Sequence, residues 1–181
     1  MLKPTKFAAG LGLVLLAVVM AAPPVAAAKK DKVKAEKLGL AGKFLLTIGK
    51  SGKCLSKVSG DKLAKHVGAW KCRTKSSNQG FKVKWTDGPW FQLRTARGNL
   101  CVEISGSSKK NGKPVVQWSC TGKKNQQWKI VGAGKRVFQL QARHSGKCLT
   151  LDGPDEKVSK FSQRTCANKK KNQNQRLRVY R

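Results

Sequence analysis

Six cysteines constrain the fold of this chain more than any other feature, because they recur at regular intervals. The successive gaps are 18, 29, 19, 28 and 18 residues, and the first cysteines of the three short-gap pairs are 47 residues apart. This alternation favours a tandem repeat with one local disulfide in each unit. Wide gaps without a C-x-x-C pair argue against a zinc site. The predicted bridges are Cys54–Cys72, Cys101–Cys120 and Cys148–Cys166.

Apolar residues recur at fixed distances from the first cysteine of each unit. Their spacing of two residues predicts strands with these side chains on one face, and Gly-containing turns separate the strands. About four short strands per unit have to pool their apolar faces, which predicts an all-β domain with threefold pseudosymmetry. The spacing alone leaves open whether the strands close into a barrel or form three blades. The recurring residues are Phe44, Phe91 and Phe138, then Leu46, Leu93 and Leu140, then Leu55, Val102 and Leu149.

A second pattern recurs at and after the second cysteine of each unit. Each unit ends on an Asn-Gln pair followed two residues later by an apolar residue, and Gly-Lys-Cys-Leu opens the first and third units at 52–55 and 146–149. As a set, these motifs resemble the ricin B-type lectin domain with its threefold Q-x-W repeat, over residues 43–181. The resemblance implies a β-trefoil of three repeats of about 47 residues and carbohydrate (glycan) binding. The three motifs are Asn78-Gln79-Gly80-Phe81, Asn125-Gln126-Gln127-Trp128 and Asn174-Gln175-Arg176-Leu177.

The resemblance also implies where a sugar would bind in the second repeat. In that family a carboxylate stands two residues after the first cysteine, an aromatic residue two before the second, and an amide in the Asn-Gln motif. The matching residues here are Glu103, Trp118 and Asn125, with Gln126 beside them. Glu replaces the usual Asp, and its extra methylene displaces the carboxylate. The alternative reading makes Trp118 a strand residue packed on the disulfide and Glu103 half of a surface ion pair with Lys.

The other two repeats depart further from the family pattern. The first keeps Trp70 and Asn78 but has Ser56 at the carboxylate position, so its predicted sugar site is weaker. The third is predicted to have lost its site, because Thr150 and Arg164 replace the carboxylate and the aromatic residue, although Asn174 is kept. The apolar residues that end the motifs, Phe81, Trp128 and Leu177, are predicted to be core residues, and the glutamines Gln79, Gln126 and Gln175 to bond the nearby backbone.

The N-terminal segment is predicted to be an export signal. Two lysines precede an apolar run of 16 residues at 7–22, a Pro pair and several alanines, which is typical of a secretory signal peptide over 1–28. The run is shorter than a membrane span and Pro-Pro breaks it, so no transmembrane segment is expected. Residues 29–42 are Lys-rich and are predicted to form a flexible tail. We therefore expect a secreted protein, extracellular or periplasmic.

Charge offers a second hypothesis for function. The chain has 39 Lys and Arg against 8 Asp and Glu, a formal net charge of +31. Such an excess favours binding to anionic glycan, nucleic acid or cell envelope, although no motif predicts sequence-specific DNA reading. A third hypothesis, from the resemblance alone, is the cell-binding subunit of a toxin assembly. His66 and His144 lack metal-ligand spacing and the clustered acids at 152–156 are typical of a turn, so we expect no catalysis, metal or cofactor.

Overall fold

The described part of the chain consists almost entirely of short antiparallel strands. The computed structural model describes residues 25–49, 51–57, 63–132, 134, 136–153, 159–167 and 172–180. Each repeat supplies four of the twelve strands that these residues form. The first repeat holds β1 (Leu45–Ile48), β2 (Lys53–Lys57), β3 (Val67–Lys71) and β4 (Phe81–Trp85). The second holds β5 (Phe91–Thr95), β6 (Cys101–Ile104), β7 (Lys113–Trp118) and β8 (Gln127–Val131). The third holds β9 (Gln139–Ala142), β10 (Cys148–Asp152), β11 (Ser159–Arg164) and β12 (Leu177–Tyr180).

Six of these strands close into a barrel, which resolves the alternative left open by the spacing. Consecutive repeats are joined by β4 pairing with β5, β8 with β9, and β12 with β1. Within each repeat, the recurring Phe that precedes or opens the first strand pairs with the apolar residue at the first or second position of the last strand. The barrel therefore has no open edge. The three equivalent pairs are Phe44–Phe81, Phe91–Trp128 and Phe138–Leu177.

The remaining six strands form three hairpins that pair with one another. The hairpins are β2–β3, β6–β7 and β10–β11. Strand β11 pairs with both β3 and β7, and a single bridge from His66 to Val116 joins the other two hairpins. A six-stranded barrel with three mutually paired hairpins is the β-trefoil that the resemblance implied.

The core and the disulfides match the repeat pattern. All twelve recurring apolar residues named above, including Phe81, Trp128 and Leu177, are buried in one cluster. Trp128 also donates a hydrogen bond from Nε1 to the backbone oxygen of Val102, 2.9 Å away, which satisfies its buried N–H. The three predicted disulfides are confirmed, with Cα–Cα distances of 5.0, 5.1 and 4.9 Å.

Residues 29–42 differ from the flexible tail that their composition predicts. Residues Val25–Lys37 form helix α1, and Ala35 and Leu40 are buried in the core. The backbone N–H of Gly39 bonds to the oxygen of Glu36, and that of Leu40 bonds to the oxygen of Ala35. With Gly39 at φ +84°, this is a Schellman motif with its apolar contact. The expectation was wrong because the lysine-rich composition does not reveal the positions of three residues. Gly39 ends the helix, and Ala35 and Leu40 anchor it in the core.

The predicted signal peptide is not tested by the structure. It spans residues 1–28, most of which lie outside the described residues, so it stays a prediction. Within the part of the chain that is described, no helix is long and apolar enough to cross a membrane.

Candidate functional site

The glutamine of each Asn-Gln motif holds the same stretch of backbone in all three repeats. Its Nε2 donates to the carbonyl oxygen of the residue before the second cysteine, and its Oε1 accepts from the N–H of the residue after it. The prediction that these glutamines bond the nearby backbone is confirmed. The donor contacts are Gln79–Lys71 at 2.9 Å, Gln126–Ser119 at 2.7 Å and Gln175–Thr165 at 2.9 Å. The acceptor contacts are Gln79–Arg73 at 2.7 Å, Gln126–Thr121 at 2.8 Å and Gln175–Ala167 at 2.8 Å.

Glu103 lies on β6 in the second repeat, and a buried amide side chain holds its carboxylate. Its side chain is only 8% exposed. The Nε2 of Gln126 donates to Oε2 of Glu103 at 2.7 Å, so an amide rather than a lysine is its hydrogen-bond partner. This contact engages one of the two carboxylate oxygens. The geometry therefore does not favour the alternative in which Glu103 forms an ordinary surface ion pair with a lysine.

Burial raises the pKa of Glu103 above its ordinary value. Removal of water from the carboxylate is the largest cause. The hydrogen bond from Gln126, the nearby amide of Asn125 and the positive charge of Lys123 act in the opposite direction but do not cancel it. Carboxylates with pKa values raised in this way cluster at functional sites.

Trp118 and Asn125 line the same pocket as Glu103. The pocket has a volume of about 320 Å³. Trp118 lies at the end of β7 opposite Cys101 and is 38% exposed, so an indole face remains open to solvent. Asn125 donates from Nδ2 to the oxygen of Ile104 at 3.0 Å, and its buried Oδ1 has no hydrogen-bond partner among the described residues. The structure thus brings a carboxylate, an amide and an open aromatic face into one pocket.

Gln126 does not contribute to this pocket directly. It is fully buried and its amide atoms are engaged by Glu103, Ser119 and Thr121. Our prediction that Gln126 contacts the sugar is therefore corrected: it positions Glu103. In the second repeat, the Asn of the motif lines the pocket and the Gln supports the carboxylate from the interior. The sequence alone does not distinguish these two roles.

Several pocket residues were missed by the sequence analysis. The turn at Ser105–Ser107 forms one wall directly after β6, and Lys123 and Thr121 form another. The run of small residues Ser105-Gly106-Ser107, which begins two positions after Glu103, was the available signal for the first wall. Ala64 also lines the pocket but belongs to the first repeat, and its N–H bonds to the oxygen of Gln117 at 3.0 Å. A contribution from a neighbouring repeat cannot be read from spacing within one repeat.

The first repeat has a pocket of similar size and different chemistry. Its volume is about 300 Å³, and Trp70, Asn78 and Ser56 all line it as predicted. Trp70 is 41% exposed and lies opposite Cys54, which is the counterpart of the position of Trp118. Ser56 is buried, and its hydroxyl donates to the backbone oxygen of Lys57 at 3.2 Å.

The third repeat has replaced the sugar-site residues by internal contacts. Thr150 is buried and its hydroxyl accepts a hydrogen bond from Nε2 of Gln175 at 3.0 Å. Arg164 stands where the tryptophans stand in the other repeats, and it pairs with Asp152 at 2.8 Å. The backbone N–H of Asn174 bonds to the side chain of Asn172. These residues supply neither a free carboxylate nor an aromatic face.

No group of three or more potential metal ligands occurs among the described residues. Asp152 is engaged by Arg164 and by Ser162, whose hydroxyl donates to it at 2.8 Å. The nearby acids at 155 and 156 lie outside the described residues.

Comparison with solved structures finds the same fold in proteins of diverse kinds. The designed threefold-symmetric protein ThreeFoil is 23% identical with a TM-score of 0.71, and the match covers 77% of this chain and 98% of ThreeFoil. An exo-β-1,3-galactanase from Clostridium thermocellum is 21% identical with a TM-score of 0.70, over 76% of this chain and 29% of that one. The Polyporus squamosus lectin is 16% identical with a TM-score of 0.66, over 77% and 48%. The match thus spans less than half the length of the galactanase and lectin chains.

The comparison with curated proteins found no significant match. The family profile described as "Ricin-type beta-trefoil lectin domain-like" matches three overlapping regions, residues 36–118, 77–164 and 124–179. These regions together cover all three repeats and most of the chain. The chain belongs to the ricin-type β-trefoil lectin domain-like family.

Proposed function

We propose that this chain is a secreted, non-catalytic carbohydrate-binding protein whose second repeat holds the sugar. The observation that carries the proposal is the pocket in which Glu103, Trp118 and Asn125 meet. Such a combination suits a pyranose, which has an apolar C–H face and vicinal hydroxyls that need both donors and acceptors. Secretion rests on the signal peptide predicted at residues 1–28.

Each side chain of the pocket has a definite role in this proposal. The exposed face of Trp118 stacks on the C–H face of the sugar ring. Gln126 engages one oxygen of Glu103, so the other accepts a sugar hydroxyl in a charge-assisted hydrogen bond. Asn125 is fixed by the carbonyl of Ile104 and presents its amide to a second hydroxyl. Because these residues are held by strands and backbone bonds, the site is formed before the ligand arrives.

The match to the lectin-domain family supports carbohydrate binding as the class of function, and two of the structures that share its fold are lectins. The Polyporus squamosus lectin was solved with the epitope Neu5Aca2-6Galb1-4GlcNAc, and the hemolytic lectin CEL-III shares the fold with a TM-score of 0.61. Both are much longer than the matched part, so their complete activities do not transfer to this chain.

Removal of the stacking residue tests this proposal. We expect Trp118→Ala to abolish binding of neutral saccharides on a glycan array, because the ring face loses the only aromatic partner among the described residues that line the pocket. Tyr180→Ala is the matched control, since Tyr180 is an aromatic residue of similar exposure that lines neither sugar pocket. Unchanged binding of all neutral glycans by Trp118→Ala would refute the proposed site.

A second candidate function is the binding of anionic polymers through the lysine-rich surface. Its support is the net charge of +31, of which +29 would remain after removal of Lys3 and Lys6 with the signal peptide. The chain has only 8 Asp and Glu, and two of them, Asp87 and Asp152, pair with arginines, so few acidic residues remain to neutralise the lysines. Affinity for heparin or DNA should then fall linearly with the logarithm of salt concentration. A flat salt response would exclude this mode of binding.

The toxin-subunit hypothesis has weaker support. Chains of the cytolethal distending toxins share the fold, with a TM-score of 0.61 for that of Haemophilus ducreyi over 76% of this chain and 81% of that one. Their identity of 16% or less supports the fold only. Co-purification of a catalytic partner from the native source would be the observation that supports the toxin-subunit hypothesis.

A further inference from the structure

The pockets of the first and second repeats share a scaffold but differ in charge. Their volumes are about 300 and 320 Å³, and each has an exposed tryptophan opposite the first cysteine of its hairpin. In the second pocket Glu103 faces Lys123. In the first, no acidic residue is among the described residues that line the pocket. One scaffold therefore offers two different electrostatic environments.

Two exposed cations flank the tryptophan of the first pocket. Lys71 follows Trp70 directly at the end of β3, and Arg73 comes just after the disulfide-bonded Cys72. The backbone of both residues is fixed by Gln79, so their side chains project from a rigid stretch. Within the described residues neither makes an ion pair. The pocket thus combines an aromatic face with two cations that have no carboxylate partner among the described residues.

These charges are particular to the first repeat. The positions of Lys71 and Arg73 are taken by Ser119 and Thr121 in the second repeat, on backbone held by the same glutamine contacts. A neutral sugar entering the first pocket would find Ser56 where the second offers a carboxylate, and the Ser56 hydroxyl donates to backbone oxygens. The pocket has therefore lost the acceptor that a neutral diol requires and has gained donors that suit an anion.

We propose that the first-repeat pocket binds an acidic sugar, a saccharide residue bearing a carboxylate or a sulfate. Trp70 stacks on the ring, the Arg73 guanidinium takes the anionic group in a bidentate contact, and Lys71 adds a second cation. Asn78 and Ser76, which also line the pocket, supply polar contacts to hydroxyls. This inference rests on the proposed carbohydrate-binding function and assigns a separate ligand class to the first repeat.

The test compares three short probes by isothermal titration calorimetry. They are a trisaccharide of galacturonic acid, the galactose trisaccharide of the same linkage, and its 6-sulfated form. A trisaccharide is short enough to report on one pocket rather than on scattered lysines. We expect the unaltered protein to bind at least one acidic probe about 10-fold or more tightly than the neutral one, which corresponds to one charge-assisted contact. Binding of only one acidic probe would identify the anionic group.

The decisive variant is Lys71→Ser with Arg73→Thr, which introduces the residues of the second repeat and so suits the scaffold. We expect it to lose about 10-fold or more in affinity for the acidic probe while binding of the neutral probe is unchanged. Lys82→Ser with Lys84→Ser is the matched control, because it removes two exposed charges from β4, whose residues do not line the pocket. Equal losses in both double variants would overturn the proposal in favour of general charge attraction.

The two proposals fail in distinguishable ways. If the neutral probe binds and Trp118→Ala abolishes that binding, but no acidic probe binds more tightly, only the acidic-sugar pocket is refuted. If none of these probes binds and no glycan on the array binds either, the carbohydrate-binding function fails with it.

Discussion

Replacement of Glu103 by Gln should separate ligand binding from stability. The variant removes the charge but keeps a side chain of the same length that still accepts from Gln126. In the proposed complex it loses a charge-assisted hydrogen bond to a sugar hydroxyl, which is about 1.5–3 kcal/mol. Affinity for neutral saccharides should therefore fall about 10- to 100-fold. Calorimetric titration with a neutral glycan identified on the array measures this loss.

Stability should change in the opposite direction. Because burial raises the pKa of Glu103, the ionised carboxylate is less favourable in the folded state than in the unfolded chain. The contribution of Glu103 to stability is thus full when it is protonated at acid pH and declines as pH rises through its folded pKa. We expect Glu103→Gln to be more stable than the unaltered protein at neutral pH, with the gain vanishing in acid.

Urea denaturation at several pH values, in parallel with Glu103→Ala, tests this reasoning. The alanine variant removes a partner of the Gln126 amide and should lose about 1 kcal/mol or more at every pH. A loss of stability in Glu103→Gln at neutral pH would show that the carboxylate is kept for structure. Unchanged affinity in that variant would show that Glu103 does not contact the sugar.

Two further predictions concern the fold. Trp128→Phe should lower the free energy of unfolding by about 2 kcal/mol, since it leaves the carbonyl of Val102 unpaired and a small cavity, and urea denaturation measures this. A loss below about 0.5 kcal/mol would mean that the indole hydrogen bond is immaterial. Gly39→Ala should cost about 1 kcal/mol because the residue at φ +84° must remain left-handed. Circular dichroism should show lost helicity and a lower melting temperature, and an unchanged melting temperature would contradict the docking of α1.

Much of the fold was predictable because the repeat states each constraint three times. The cysteine spacing identified the disulfides, and the positions of Phe44, Phe91 and Phe138 identified the barrel core. Closure was not predictable from spacing, since it depends on pairing between strands that are far apart in sequence. The resemblance supplied the fold, and the pairing of Phe44 with Phe81 confirmed it.

The site residues that come from a single repeat could be predicted from the sequence. The residue that a neighbouring repeat contributes could not. Glu103, Trp118 and Asn125 follow from positions relative to the cysteines, because the hairpin that bears them is local. Ala64 reaches the same pocket only through the contact between hairpins. The helix before the barrel was missed because its anchoring by Leu40 depends on a tertiary surface that composition does not reveal.

The glutamine contacts to backbone have a consequence for how this protein can change. They support each loop without using any atom that faces solvent, so the side chains flanking the second cysteine are free to vary. The same glutamine contacts hold two different pairs of side chains, which are Lys71 with Arg73 in the first repeat and Ser119 with Thr121 in the second. The residues on either side of the second cysteine can therefore change in one repeat while the glutamine contacts in the other repeats stay the same. Ligand choice in the first two repeats can thus be exchanged separately from folding, and protein design could re-specify their two pockets one at a time.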